Sequence, residues 1–202
     1  MRKGLIYLQL IHDVSLFILL CMSIMINIIS FFYCIKRDER SLGKIFILGH
    51  YCVLQFVVYL FYPSYILLFA MAIGGLLTVE DLQHMEVAFW KLAFLIVLAI
   101  VSLVLDFSLW TIVAAVLFTI GLIILHFIYG GMLGAADIIY VACITCIIGA
   151  MPTVYAICIG CILSIISVLP ALTQKKEQPI PFLPGLCAGF GYTLIFLPFL
   201  PI

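Results

Sequence analysis

The sequence predicts an all-α fold: a polytopic integral membrane protein with about eight transmembrane helices. Hydrophobic residues make up 67% of the 202 residues and charged residues only 9%, with a mean hydropathy of +1.41. The apolar residues form nearly continuous runs of about 14 residues or more, which is more apolar sequence than one soluble core of this length needs. The net charge is zero and no basic patch exists, so the composition argues against a nucleic-acid partner.

Charges, glycines and prolines divide the apolar sequence into eight segments, which we predict to be helices. The first resembles a secretory signal, but it is too long and lacks a small-x-small cleavage site, so we expect it to be retained. Several others are shorter than the ~20 residues of a perpendicular crossing, which predicts local thinning, tilted neighbours or helices that end at a wet cavity. The segments are 5–35, 45–62, 64–80, 92–105, 109–129, 138–151, 153–172 and 180–200, and they form one transmembrane domain over residues 1–202. The breaks between them are the basic loop 36–44, Pro63, the acidic loop 81–91, Asp106, the glycines of 130–134, Pro152 and the loop 173–178.

The Lys and Arg residues predict the orientation of these segments. With the N-terminus outside, the inner loops hold seven of the nine basic residues and the outer side holds only Arg2 and Lys3. The loops that contain Asp81 and Asp137 then both face the cytoplasm, so the two carboxylates can meet. The seven inner residues are Lys36, Arg37, Arg40, Lys44, Lys91, Lys175 and Lys176.

Asp81 and Asp137 stand at the edges of apolar segments, in a chain with little charge. An ionisable group at membrane depth costs roughly 2.5–3.5 kcal/mol on insertion scales, so it is seldom kept without a partner or a task. Asp137 follows the small residues of 130–136 and is expected at a helix N-terminus, where free amides favour a carboxylate. Taken alone, Asp137 indicates a helix cap, and the segment from Glu80 to Glu86 indicates a polar loop.

Four segments, in chain order, resemble segments of the type IV prepilin peptidases, which are intramembrane aspartyl peptidases. The stretch that begins at Asp81 is similar to their D-L-x-x-x-x-I-P segment, and Gly134 to Asp137 resembles their G-x-G-D signature. The stretch 27–33 is similar to their F-x-N-V-V-I-Y-R segment, and the stretch 179–186 to their I-P-F-G-P-F-L segment. The resemblance covers nearly the whole chain and agrees with the family's eight spans and orientation.

The resemblance implies that Asp81 and Asp137 form a catalytic dyad. The dyad would remove the short basic leader of prepilin or pseudopilin substrates at the cytoplasmic face of the plasma membrane. Two carboxylates that share one proton can supply a base for water and an acid for the leaving nitrogen. Gly134 and Ala136 would line the substrate groove, and Glu80 and Glu86 would either attract the leader or be ordinary solvated acids.

This chemistry needs no metal or cofactor. The expected partners are the protein substrate and the lipid bilayer, and the sequence does not determine the oligomeric state.

The chain also departs from the family. Ala136 replaces the second glycine of G-x-G-D, Ile139 stands where a lysine is common, and Val87-Ala88 replaces Ile-Pro. The alanine either narrows the groove or is tolerated because the local φ is negative. Many members have a zinc-binding loop with two C-x-x-C pairs, associated with N-methylation, whereas the loop 36–44 contains no cysteine. We therefore expect cleavage without methylation.

Two C-x-x-C pairs occur elsewhere, Cys143 with Cys146 and Cys158 with Cys161. Both pairs lie within predicted helices. Four thiolates around one Zn²⁺ would leave a net charge of about −2 in hydrocarbon, so we reject a zinc site. We expect these cysteines to be small residues on helix-packing faces.

Two other functions fit parts of the sequence. A small ion-coupled transporter could use Asp81 and Asp137 to bind a cation or relay protons. Against it, we find no inverted internal repeat, and both acids lie near the cytoplasmic end rather than the midplane. A degenerate, non-catalytic family member is the third hypothesis, and Ala136 is its main support.

Overall fold

The computed structural model describes residues 2–35, 41–84, 86–130, 133–173 and 182–199. Across these residues the chain is all helical, as predicted, with eight α-helices and no β-strand. A short 3₁₀ turn, Leu197–Phe199, follows the last helix. The helices are α1 (Arg2–Ile35), α2 (Ser41–Phe61), α3 (Tyr65–His84), α4 (Phe89–Leu105), α5 (Leu109–Ile128), α6 (Ala135–Ile148), α7 (Ala150–Thr173) and α8 (Leu183–Phe196).

Each helix corresponds to one predicted segment, but two helix ends differ in a way that affects the site. α3 continues to His84 instead of ending at 80, and α6 begins at Ala135 instead of 138. The prediction that Asp81 belongs to a loop is therefore wrong, because this residue lies in the last turns of α3. The loop residues 36–40, 131–132 and 174–181, on which several predictions depend, lie outside the described residues.

Within the part of the chain that the structure describes, three helical segments are long and apolar enough to cross a membrane: Ile11–Ile29, Tyr65–Leu82 and Leu109–Ile128. Apolar segments of 10–17 residues lie in other helices of the described chain. α5 exposes most of its large apolar side chains, and Ala115 is its one buried residue. Extended apolar surface of this kind is typical of contact with lipid. The fold is therefore consistent with a membrane protein.

α8 occupies the interior of the bundle and packs against α2, α3, α6 and α7. Its contact with α7 is the most extensive helix pair in the described part of the chain. A β-carbon at Gly160 would lie 3.0 Å from the carbonyl oxygen of Gly185, and one at Gly189 would collide with the carbonyl of Ala156. The two backbones therefore touch, as they do where small residues face each other in membrane helices. We call this contact the α7–α8 seam (Ala156, Gly160, Ser164, Gly185 and Gly189).

The four cysteines of the C-x-x-C pairs do not share one environment. Cys143 is buried and Cys146 and Cys161 are partly buried, but Cys158 is exposed. The prediction that both pairs lie on packing faces is therefore wrong for Cys158. The face of α7 that packs is instead the one with the residues of the seam, which the spacing of the cysteines does not reveal.

Candidate functional site

Asp137 is held at the start of α6 by its own helix cap. After α5 the chain turns at Gly130, whose φ of +63° is a left-handed conformation that favours glycine. Gly134 is the N-cap of α6, and its backbone N–H donates to Oδ2 of Asp137 at 3.1 Å. This bond is the carboxylate half of a capping box. The prediction that Asp137 caps a helix is thus confirmed for Oδ2, while Oδ1 takes no part in the cap.

Ala136 lies inside the first turn of α6. Alanine is the residue with the best helix propensity, so the glycine of the family signature is not needed for the backbone at this position. Gly134 has an extended conformation, with φ −69° and ψ 145°, that any residue can adopt. What its missing side chain provides is space, because a β-carbon there would lie 3.0 Å from Oδ2 of Asp137.

Asp81 approaches the same place from the end of α3. Its side chain is half-buried, and Oδ2 is fully buried without a hydrogen-bond partner among the described residues. The backbone amide of Leu183, the first residue of α8, lies beside the carboxylate. The end of α3 and the start of α8 therefore meet at Asp81.

The two carboxylates lie close enough to interact. Asp137 is buried, with 8% of its surface exposed, and it lies outside the three segments long enough to cross a membrane. Burial raises the pKa of Asp137 from its ordinary 3.8 to about 7, the charge of Asp81 adds to the increase, and the bond from Gly134 opposes it. The prediction that the two acids can meet is supported by this coupling. Near neutral pH Asp137 can therefore either hold or release a proton.

A polar floor of three side chains (Thr78, Tyr140 and Cys187) extends from the carboxylates into the bundle. The Cys187 thiol lies within reach of the hydroxyls of Thr78 and Tyr140, and it feels the charges of Asp81 and Asp137. All three side chains are buried, with 3% or less of their surface exposed. Sequence reasoning missed this floor, although Thr78 lies three residues before Asp81 and so on the same face of α3.

Glu80 fastens the loop between α3 and α4. Its Oε1 lies 2.6 Å from Nζ of Lys91, and its Oε2 accepts a hydrogen bond from the backbone N–H of Ala88 at 3.0 Å. The carboxylate of Glu80 is thus already engaged within the chain. Glu86, which lies in the loop itself, is exposed.

His126, in the last turn of α5, contacts the loop that precedes Asp137. Its Nδ1 lies 2.6 Å from the carbonyl oxygen of Leu133. The sequence gives no sign that His126 belongs to the site, because a bond from a side chain to a backbone carbonyl leaves no pattern in the sequence. The side chain of His84, which is closer to Asp81 in sequence, lies outside the described residues.

Asn27 belongs to another segment of the resemblance and is fully buried against α3. A β-carbon at Gly75 would lie 2.7 Å from its amide atoms, so the glycine makes room for the amide. Neither amide atom has a hydrogen-bond partner in the described part of the chain. No group of three or more His, Cys, Asp or Glu side chains that could hold a metal ion occurs among the described residues.

The fold and the site together define a helical protein, apolar on its outside, with a coupled pair of buried or half-buried carboxylates at one end of the bundle. A scan against models of protein families, a search of curated proteins and a search of solved structures each find no match to this chain. The function must therefore be argued from the site, and membership of the prepilin peptidases stays a prediction.

Proposed function

We propose that this protein is an intramembrane aspartyl endopeptidase with Asp81 and Asp137 as its catalytic residues. The observation that carries the proposal is the approach of these two carboxylates from α3 and α6, close enough for the charge of one to act on the other. A chain with so few charges has a strong energetic reason to keep acidic groups out of its interior. A pair of them in one place is the arrangement that aspartyl peptidase chemistry requires.

In the proposed reaction one carboxyl group is ionised and the other is protonated. The ionised group takes a proton from a water molecule, whose oxygen bonds to the scissile carbonyl carbon. The protonated group then donates its proton to the amide nitrogen as the carbon–nitrogen bond breaks, so the pair ends the cycle with one proton, as it began. The pKa of Asp137, raised to about 7, supports this sharing at neutral pH.

The cap and the burial of the pair support distinct roles for three of the four carboxylate oxygens. Oδ2 of Asp137 is held by the N–H of Gly134, which leaves Oδ1 to hold the shared proton. Oδ2 of Asp81 has no hydrogen-bond partner in the described structure and is available to accept the proton from water. The polar floor keeps the inner side of the site from being wholly apolar, which lowers the cost of burying two carboxyl groups there.

The proposed substrates are prepilins or pseudopilins, with a short basic leader followed by a hydrophobic helix. The helix would lie in the bilayer beside the enzyme, and the leader would lie at the cytoplasmic face. Of the two acids considered for binding the leader, Glu86 is exposed and free to do so, whereas Glu80 is engaged by Lys91 and Ala88. We therefore propose Glu86 as the contact for the leader and Glu80 as the residue that shapes the loop. The position of Ala136 in a helical turn, where the backbone does not need glycine, supports a functional site.

Co-expression with candidate substrates tests the proposal. Each candidate has a basic leader before a hydrophobic helix and an epitope tag at its C-terminus, and cleavage shortens it on a gel. Mass spectrometry of the new N-terminus locates the cut, which we expect at the junction of leader and helix. If no candidate is shortened in the presence of the wild-type protein, while a known prepilin peptidase cuts the same set in parallel, the proposed activity is wrong.

A further inference from the structure

One peptide group connects His126 to Asp137. The carbonyl of Leu133 and the N–H of Gly134 are the two ends of the same peptide unit. Nδ1 of His126 lies 2.6 Å from that carbonyl oxygen, and the N–H donates to Oδ2 of Asp137 at 3.1 Å. The imidazole, the peptide and the carboxylate therefore form a continuous chain of hydrogen bonds.

The chemistry of the carbonyl fixes where the imidazole proton lies. A carbonyl oxygen can only accept, so Nδ1 of His126 must carry the proton and donate it. The peptide is planar and rigid, so a bond to its oxygen also fixes the direction of its N–H. A donor at the oxygen polarises the peptide and strengthens the bond that its N–H makes, as in other chains of hydrogen bonds.

We propose that His126 is a positioning residue for Asp137, acting through the Leu133–Gly134 peptide. The effect of His126 on catalysis rests on the proposed function, whereas its effect on the position of the Asp137 carboxylate does not. His126 holds the loop between α5 and α6 so that the N–H of Gly134 meets Oδ2 of Asp137 and presents the other oxygen to the site. The other groups that face Asp137 are Asp81 from α3 and Cys187 from α8, and they are independent of this bond.

Two substitutions distinguish the effect of losing the hydrogen bond from the effect of losing the volume of the imidazole ring. His126→Asn places an amide N–H close to the position of Nδ1, whereas His126→Leu keeps an apolar side chain and removes the donor. His50→Leu is the matched control, because His50 is also a partly buried histidine with a 2.6 Å bond, to Tyr192, but it makes no bond to this loop. All three proteins are compared with wild type in detergent micelles after their folding is checked by circular dichroism.

The kinetic result distinguishes positioning from general structural support. We expect His126→Leu to lower kcat by about tenfold to a hundredfold with little change in KM, since a small displacement of a reacting group has effects of this size. His126→Asn should recover most of the loss, and His50→Leu should leave kcat close to wild type. Equal losses in the Asn and Leu variants, or wild-type kcat in His126→Leu, would overturn the proposal.

A second measurement keeps the inference testable if the protein cleaves nothing. Infrared spectroscopy follows the protonated carboxyl band of Asp137, identified by its loss in Asp137→Asn, as pH is raised. We expect the band to persist to higher pH in His126→Leu than in wild type, because the carboxylate has lost a polarised donor, and to return toward wild type in His126→Asn. A shift without cleavage would support the positioning role and count against the peptidase; an unchanged titration in all variants would overturn the positioning role itself.

Discussion

The missing side chain of Gly134 makes room for Asp137: a β-carbon at 134 would lie 3.0 Å from Oδ2, closer than ordinary contact. We expect Gly134→Ala to lower the cleavage rate by about tenfold or more, because the carboxylate must move from its cap by a few tenths of an ångström or rotate away. The free energy of unfolding should change by less than about 1 kcal/mol, since the backbone conformation suits alanine. Single-turnover cleavage and thermal unfolding measure the two effects.

Ala136→Gly is the matched control for that substitution. It restores the glycine of the family signature but places it in a helical turn, where glycine costs about 1 kcal/mol relative to alanine. We expect slightly lower stability and cleavage close to wild type. A large gain in activity would show instead that the methyl group of Ala136 obstructs the substrate.

Asp81→Asn and Asp137→Asn should each abolish cleavage while the protein still inserts and accumulates. An amide keeps the shape of the carboxylate but cannot act as the base or hold the shared proton. Because the two residues act as a unit, the double variant should be no worse than either single variant. Processing at the wild-type rate by either single variant, with a substrate that the parent cuts, would remove that residue from the dyad.

The pKa of Asp137 predicts a pH dependence of stability. Because the pKa in the folded state is raised from 3.8 to about 7, the folded protein binds this proton more tightly than the unfolded chain does. The stability that this proton contributes is complete below about pH 3.8 and is lost as pH rises through about 7. We expect the Tm of wild type in micelles to fall more between pH 5 and pH 8 than the Tm of Asp137→Asn.

The cleavage rate should depend on the same proton of Asp137 and should fall when that proton is lost. Above about pH 7 the pair loses its shared proton, so kcat/KM should decrease as pH rises further. A substrate without other ionisable groups near the cleavage site limits the profile to the enzyme. A rate that keeps rising to pH 9 would contradict a proton donor in the pair.

Glu80 and Glu86 should have separable effects. Glu80→Gln weakens the ion pair between residue 80 and Lys91, whose side chains are both mostly buried. We expect it to lower the free energy of unfolding by about 1 kcal/mol. It should also lower kcat, because the α3–α4 loop is less well held. Glu86→Gln should leave stability unchanged and raise KM for substrates with a basic leader. Increasing salt should abolish the difference between Glu86→Gln and wild type, because an exposed charge is screened.

The orientation in the membrane can be tested with two exposed acids at opposite ends of α4. We expect Asp106→Cys to react with a membrane-impermeant thiol reagent in intact cells and Glu86→Cys to react only after lysis, because the basic loops predict that the dyad faces the cytoplasm. The native cysteines are first replaced by alanine or serine. The reverse pattern would place the site on the outer face.

The sequence predicted the helices well because the apolar segments are long and their breaks are marked by charge, glycine and proline. The ends of α3 and α6 differ from the predicted bounds for one reason: Asp81 and Asp137 are charged, and a charge next to an apolar segment favours a loop. α3 continues past Asp81, whose carboxylate lies beside the backbone amide of Leu183 in α8, and Asp137 is helical because it caps its own helix. The contact of Asp81 with α8 joins distant segments, so local sequence alone cannot reveal it.

Other parts of the site depend on contacts between distant segments. Cys187 joins the polar floor only because α8 packs against α3 and α6, and His126 meets Leu133 only because Leu133 lies against the last turn of α5. No periodicity or spacing contains this information. The two aspartates were found because their cost in an apolar chain is a signal that a single sequence does contain.

The α7–α8 seam has a mechanical consequence for the whole bundle. Where two backbones touch, no flexible side chain remains between them to absorb a displacement, so these two helices must move as one stiff body. α5 is the opposite case, because it is held mainly through α6 and buries little of its own surface. If the proposed function holds, we therefore expect the bundle to yield on the α5 side when a substrate helix enters next to Asp137.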